Sequence, residues 1–161
     1  MAWALDSGGF TTLSQHGRYL VTHRQYAEEV CRYDEQIGNL RVAFAMDWMC
    51  EPSVTAMTGL SVEEHQRRTI ESIMVLRELA PGLPWAPVLQ GWTLSDYERH
   101  VALYLRNGID LRCEPLVGVG SVCTRSGAAE GLAIARLLAG FDLRLHLFGY
   151  KRDGLPDALP Y

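Results

Sequence analysis

The feature that most constrains the fold is a repeated pattern in which short apolar segments end in a polar residue or a glycine. Helix-like stretches separate these segments, whose ends are Asp6, Asp47, Gln90, Gly118 and Gly149. The distances in sequence between successive ends differ. The last two are close to the ~30 residues of a strand–helix unit, and the first two are longer, which insertions would explain. The pattern therefore predicts parallel strands joined by helices, which is an α/β fold.

Capping signals mark the two clearest helices. Ser61 and Glu64 open one helix, and Ser95 and Glu98 open the other, in the spacing of a capping box. Residues 11–23 show no steady period and are interpreted as a long loop. Helices are predicted over residues 24–37, 61–80, 95–107 and 126–139, and strands over residues 3–5, 40–46, 86–89, 116–117 and 143–148.

Two architectures fit this order of elements: an open doubly wound sheet, or part of a (β/α)8 TIM barrel. In both, ligands bind at the carboxyl ends of the strands, so we expect Asp47 and Gln90 to line one pocket and to point toward each other. A TIM barrel usually takes ~250 residues. The chain has 161 residues and is predicted to be a single domain, residues 1–161, with about five strands. If the barrel applies, this domain is a partial TIM barrel, incomplete and shortened at both ends.

Composition weighs against several classes of protein. The net charge of −4 gives no general attraction to a phosphate backbone, which counts against a nonspecific nucleic-acid binder. No apolar run approaches the ~20 residues of a membrane span, and Met1 lacks the basic flank of a signal peptide, so we expect a cytoplasmic protein. The cysteines form no C-x-x-C pair and are interpreted as reduced, mostly buried thiols without zinc; they are Cys31, Cys50, Cys113 and Cys123.

The side chains at the predicted strand ends match the Watson–Crick edge of a guanine-like base. Carboxylates accept from the N1–H and 2-amino groups, while an amide or a backbone N–H can donate to O6. The glycine turn at residues 118–120 is expected to expose such N–H groups. Phe10, Tyr19 and Trp48 are candidates for a stacking surface, and His146, which alternates with leucines, is interpreted as a core histidine.

Four motifs occur in order along nearly the whole chain: DSGGF at residues 6–10, DWMCEP at 47–52, VLQG at 88–91 and GVGSVC at 118–123. Together they resemble the tRNA-guanine transglycosylase superfamily, and they look closest to its DNA-modifying branch, the deoxypurine-in-DNA (DpdA-like) transglycosylases of phages and their hosts. The resemblance implies a TIM barrel that exchanges guanine in a nucleic acid for a 7-deazaguanine through a covalent glycosyl-enzyme intermediate. DNA is the implied partner, with tRNA as the alternative, and no cofactor is implied.

The resemblance also implies roles for individual residues. Asp6 is the general acid/base and contacts the base, whereas Asp47 and Gln90 recognise the base. The other implied base-binding residues are Ser7, Gly91, Gly118, Val119 and Gly120. An oligomer is compatible with this assignment.

A base within a duplex must be flipped out before an enzyme can reach it, so groups that hold the neighbouring phosphates are expected beside the pocket. Arg125, Lys151 and Arg152 follow the last two predicted strands and are the candidates for this role. The alternative is that they are solvated surface charges.

Two features depart from the family pattern. The Cys and His zinc site of the tRNA enzymes is not present, which fits the DNA branch or reflects missing sequence. The family's nucleophilic Asp belongs to a strand after residues 145–149, where this chain has only Asp153 and Asp157 in a Gly- and Pro-rich setting. We therefore expect base binding without exchange by this chain alone. A noncatalytic deazapurine-binding member or subunit, and a different small-molecule α/β enzyme, are the alternatives.

Overall fold

A computed structural model describes residues 1–125 and 128–150 of the chain. Strands and helices alternate along it. The strands are β1 (Trp3–Leu5), β2 (Leu40–Phe44), β3 (Trp85–Ala86), β4 (Val88–Leu89), β5 (Val117–Val119) and β6 (Leu145–Leu147). The helices are α1 (Gly9–His16), α2 (His23–Ile37), α3 (Pro52–Thr58), α4 (Val62–Leu79), α5 (Leu94–Arg106) and α6 (Ala128–Ala139), with a 3-10 turn at Leu111–Cys113.

The strands form two small parallel sheets, in the orders β1-β2-β3 and β4-β5-β6. Pro87 separates β3 from β4, so the predicted strand 86–89 is divided between the sheets. The carbonyl of Ala86 accepts from Ala45 N–H at 3.1 Å, and the carbonyl of Pro87 accepts from Gly118 N–H at 2.9 Å. The α/β class is confirmed, and no closed barrel forms within residues 1–125 and 128–150.

Each face of the strands has its own apolar cluster, because side chains alternate along a strand. On one face, Ala43 and Val119 pack against the helices, in the cluster that holds Tyr104 and Leu138. On the other face, Phe44 packs with Ala86, Val88 and Phe148. The helices therefore cover one side of the strands, and the ends of the strands remain free to carry polar groups.

Side-chain caps fix where the main helices begin. Ser61 Oγ accepts from Glu64 N–H at 3.2 Å at the start of α4, as the sequence predicts. The capping box of α5, however, consists of Thr93 and Asp96, and not of Ser95 and Glu98. The Asp96 carboxylate accepts from Thr93 N–H at 2.7 Å, and α5 begins two residues earlier than a Ser95 cap would allow.

The interpretation of residues 11–23 as a long loop is wrong, because α1 covers Gly9–His16. Gly8 and Gly17 flank this helix with positive φ, and Leu13 is completely buried in a cluster with Met49 and Val54. Burial of an apolar anchor thus stabilises a helix whose sequence shows little periodicity.

Two further sequence interpretations are wrong. His146 is exposed and stacks on Phe44, with ring centroids 5.3 Å apart, so it is not a core histidine. The cysteines are not mostly buried: Cys50 is buried, whereas Cys113 and Cys123 are exposed. Among the helices that the structure describes, none has the length and apolar character needed to cross a membrane.

Candidate functional site

Asp47 and Gln90 meet just beyond the ends of β2 and β4. Both side chains are buried, and Gln90 Nε2 donates a hydrogen bond to Asp47 Oδ2. Ser7, which follows β1, donates from Oγ to Asp47 Oδ1 at 2.9 Å. The expectation that Asp47 and Gln90 point toward each other is therefore confirmed, and the ends of three strands are joined by one carboxylate.

The Asp47 carboxyl is held in an environment that disfavours its charge. Burial, and then the nearby negative charge of Asp6, raise its pKa to about 7, although the hydrogen bonds from Ser7 and Gln90 act in the opposite direction. Burial is the main cause, because a desolvated carboxylate loses its hydration. Near neutral pH this carboxyl therefore exists in both protonation states.

Asp6 lies at the end of β1 and is exposed, and its carboxylate accepts a hydrogen bond from Ser7 N–H at 2.8 Å. Asp6, Asp47 and Gln90 line a common cavity of about 50 Å³. Its other walls are Phe10, Met49, Glu51, Gly120, Ser121, Cys123 and Phe148. The strand ends thus bring the predicted acid, the predicted recognition pair and an aromatic surface to one place.

A larger cavity, of about 520 Å³, lies elsewhere, between α5 and the segments that lead into β5 and β6. Leu111 and Leu143, which precede those strands, form part of its wall. It is therefore near the amino ends of the strands, the opposite end from the polar cluster. Volume alone does not identify the functional site, and the smaller cavity holds the converging acids and amide.

Glu51 and Ser121 extend the polar cluster and were not among the predicted site residues. Glu51 is 2% exposed, and its carboxylate oxygens lie 2.7 Å from Ser121 Oγ and 3.3 Å from Thr124 Oγ1. Ser121 Oγ also lies 2.8 Å from Gln90 Oε1 and accepts from Cys50 N–H at 3.0 Å. Since a hydroxyl has one proton, Ser121 donates to Glu51 or to Gln90 at any one time.

The expectation that residues 118–120 expose their N–H groups is wrong for the two glycines. Gly118 lies within β5, and the N–H groups of Gly118 and Gly120 donate at 2.9 Å to Pro87 and Leu89 of the neighbouring segment. Glycine is required here for close approach instead. A Cβ at position 120 would overlap the Gln90 amide, and one at position 118 would stand 2.7 Å from the Phe148 ring.

The remaining predicted base-binding residues lie next to the pocket without forming its walls. Val119 is buried in β5, against the helix-facing cluster. Gly91 follows Gln90 and allows α5 to approach, because a Cβ there would stand 2.8 Å from the Asp96 Cβ and 3.0 Å from Tyr97 N. Both residues therefore pack behind the pocket, and a contact of either with a base stays a prediction.

Two tyrosines hold the backbone at the strand ends, Tyr19 from the connection between α1 and α2 and Tyr97 from α5. The Tyr19 hydroxyl donates to the Asp47 carbonyl at 2.8 Å, and the Tyr97 hydroxyl of α5 donates to the Gly120 carbonyl at 2.7 Å. Tyr19 also packs edge-on against Trp48, with centroids 5.7 Å apart. These two aromatic residues are thus used in packing, while Phe10 and Phe148 line the cavity.

Arg125 is 8% exposed, and its guanidinium donates to the Ser121 carbonyl at 2.9 Å and to the Trp92 carbonyl at 2.7 Å. It also lies over the Trp92 ring, 4.3 Å from the centroid. This burial leaves little of the group for a phosphate, so its contact with DNA stays a prediction. Lys151 and Arg152 lie outside the described residues.

No group of three or more metal-ligating side chains occurs in the part of the chain that the structure describes. The arrangement of acids, amide and aromatic rings is instead suited to an organic ligand with several hydrogen-bond donors. A comparison with curated proteins gives no match. A family model described as DeoxyPurine in DNA protein A, DpdA, matches residues 1–158. The chain therefore belongs to the DpdA family.

Proposed function

We propose that this chain binds a guanine-type base at the ends of its strands and belongs to a transglycosylase that exchanges guanine in DNA for a 7-deazaguanine. The observation that carries the proposal is the buried Asp47–Gln90 pair, which Ser7 joins and which shares a cavity with Asp6. The family model supports modification of deoxypurines in DNA. A relation to the tRNA-guanine transglycosylases, which are pentosyltransferases, is part of the proposal.

The recognition chemistry follows from which groups donate and which accept. Asp47, when ionised, accepts from the N1–H and 2-amino groups, and the Gln90 amide donates to O6. A base that binds both must replace their mutual hydrogen bond. It must also enlarge the cavity, since ligand pockets usually exceed ~300 Å³. Phe10 and Phe148 line the cavity and are proposed to stack on the base.

Asp6 is proposed as the general acid/base because it is the exposed carboxylate of the cavity and can exchange protons with solvent. Covalent exchange further requires a carboxylate within bonding reach of the sugar carbon. We assign that nucleophile to no described residue, and we propose that the chain alone binds the base without exchanging it.

The partial (β/α)8 barrel belongs to this proposal as well. The strand pairings among the described residues are all parallel, and the strand order within each sheet follows the chain. The polar residues collect at the carboxyl ends of the strands, where barrel enzymes bind their substrates. Both features favour part of a barrel over a doubly wound sheet, in which the strand order reverses.

The first test is the affinity for free 7-deazaguanine, measured by calorimetry. Asp47→Ala leaves donors of the base unpaired and should cost about 1–3 kcal/mol of binding free energy. Glu71→Gln on the exposed side of α4 is the matched control and should bind like the wild type. Unchanged affinity in Asp47→Ala would contradict base recognition by this residue.

The second test separates an exchange enzyme from a noncatalytic binder. The purified chain is incubated with labelled 7-deazaguanine and either guanine-containing DNA or tRNA. Base binding without label in either nucleic acid is the expected result. Label in DNA would show that this chain contains its own nucleophile, and label in tRNA alone would assign it to the tRNA enzymes.

A further inference from the structure

The backbone of Gln90 lies just past the end of β4, and two buried side chains of the helical layer hold it in place. Its N–H donates to Nδ1 of His100 in α5 at 2.9 Å. Its carbonyl accepts from Nε2 of Gln66 in α4 at 2.8 Å. His100, Gln66 and Gln90 are all 0% exposed. Both polar groups of the Gln90 peptide are therefore fixed by side chains.

The tautomer of His100 follows from these contacts. Nδ1 also lies 3.1 Å from the Gln90 carbonyl, but the Gln90 N–H is the closer group at 2.9 Å, and because it can only donate, Nδ1 must offer it a lone pair. Burial lowers the pKa of His100 to about 3, so the ring is neutral. With Nδ1 as the acceptor, the ring proton is on Nε2.

Nε2 of His100 is buried and makes no hydrogen bond of normal geometry in the described part of the chain, although the backbone of Gln66 lies near the ring. An unpaired buried donor destabilises a fold, and an apolar side chain of similar size at position 100 would avoid that loss. The histidine is therefore better explained by its contact with Gln90 than by packing alone.

Gln66 is itself held in place. Its Nε2 also donates to the Asp96 carbonyl at 2.8 Å, and its Oε1 accepts from Arg99 Nε at 3.2 Å. Helices α4 and α5 thus fix the direction in which the Gln90 side chain leaves the backbone. That side chain ends at Asp47 and Ser121, inside the cavity.

We propose that His100, together with Gln66, is a positioning residue that aims the Gln90 amide at O6 of the base. The proposal rests on the proposed function of this site. It predicts that the loss of His100 changes which bases are accepted, and not only how stable the protein is.

The test compares the affinity for 7-deazaguanine with that for 2-amino-7-deazapurine, which lacks both O6 and the N1–H. Because Asp47, the proposed acceptor of N1–H, is present in every variant compared, a difference in preference between the variants reports the contact with O6. His100→Leu removes the acceptor of the Gln90 N–H, and we expect the preference for 7-deazaguanine to fall roughly tenfold. His100→Asn keeps an acceptor near the Nδ1 position and should restore the preference. In a Gln90→Ala background, His100→Leu should cause no further loss of preference.

A purely structural role would lower the midpoint of thermal unfolding and leave the preference unchanged, and this result would overturn the proposal. If His100→Leu does not fold, Gln66→Met removes the donor to the Gln90 carbonyl and should reduce the preference in the same direction. An unchanged preference in Gln66→Met would then overturn the proposal.

Hydrogen exchange at the Gln90 amide, followed by NMR, tests the positioning without any base. It should accelerate in His100→Leu and remain slow in His100→Asn, while the Val119 amide serves as the internal control. If the wild type binds neither base, the proposed function fails. Even then, the positioning role would be overturned if the Gln90 amide exchanged at the same rate in His100→Leu as in the wild type.

Discussion

At the scale of single residues, Asp47 combines burial with a negative neighbour. Its pKa is raised from 3.8 to about 7. Because the folded state holds this proton more tightly than the unfolded state, ionisation destabilises the fold as the pH rises between these two values. We expect Asp47→Asn to be more stable than the wild type at pH 8, by on the order of 1–3 kcal/mol, and to show no gain at pH 4.

Urea unfolding of both proteins at three pH values measures this difference. The Asn side chain can keep both contacts, since its oxygen accepts from Gln90 and its amide can donate to Ser7 Oγ. Glu71→Gln, on the exposed side of α4, serves as the control and should show no gain with pH. A difference that is the same at pH 4 and pH 8 would mean that Asp47 does not carry the raised pKa.

The residues that follow directly on the apolar runs could be predicted from sequence. In an α/β fold, a polar residue after such a run is expected at the carboxyl end of a strand. Asp6, Asp47 and Gln90 were found in this way. Glu51 was not, since it lies well beyond the end of β2, and Ser121 was not, since it belongs to a segment that was interpreted as a glycine turn; only the fold brings the two together. The signal for Glu51 is its place directly before Pro52, which begins α3.

At the scale of elements, the site depends on the close approach between the end of β4 and the end of β5. A Cβ at position 120 would overlap the Gln90 amide, which is buried and hydrogen-bonded. Gly120→Ala should therefore displace Gln90 and destabilise the protein by about 1–3 kcal/mol. It should also weaken the binding of 7-deazaguanine. Urea unfolding measures the loss of stability, and calorimetry measures the loss of affinity.

Gly82→Ala is the matched control, since a Cβ at position 82 meets no atom within 4 Å and the backbone there does not have positive φ. It should leave base affinity unchanged. If Gly120→Ala binds the base as tightly as the wild type, the packing of β5 on Gln90 does not shape the pocket.

The elements also show where sequence reasoning stops. The helix α4 was predicted because its cap and period agree, whereas α1 is stabilised by the burial of Leu13 against α3, a contact between distant segments. Pro87 divides a predicted strand because it has no N–H to donate. His146 was misassigned because an alternating pattern gives two faces and does not say which of them the helices cover.

At the scale of the whole molecule, a net charge of −4 gives no general attraction to the phosphates of DNA. Binding to DNA therefore requires a local patch of basic side chains. Arg125 is already engaged by backbone carbonyls, so Lys151 and Arg152 are the stronger candidates for phosphate contacts. Replacing both by Gln should weaken DNA binding and reduce the slope of log K against log salt by about 0.9 for each lost contact.

The slope is measured by titrating DNA at several salt concentrations. Arg32→Gln is the control, because Arg32 is an exposed residue of α2 that pairs with Glu29 at 3.3 Å, away from the strand ends. Arg125→Gln should in addition lower the free energy of unfolding, because its buried contacts with the Ser121 and Trp92 carbonyls are lost. A change of slope in this variant would measure the phosphate contact that is predicted for Arg125. An unaltered slope in the Lys151→Gln, Arg152→Gln protein would exclude these two residues as phosphate contacts and would direct the search to other basic groups near the pocket.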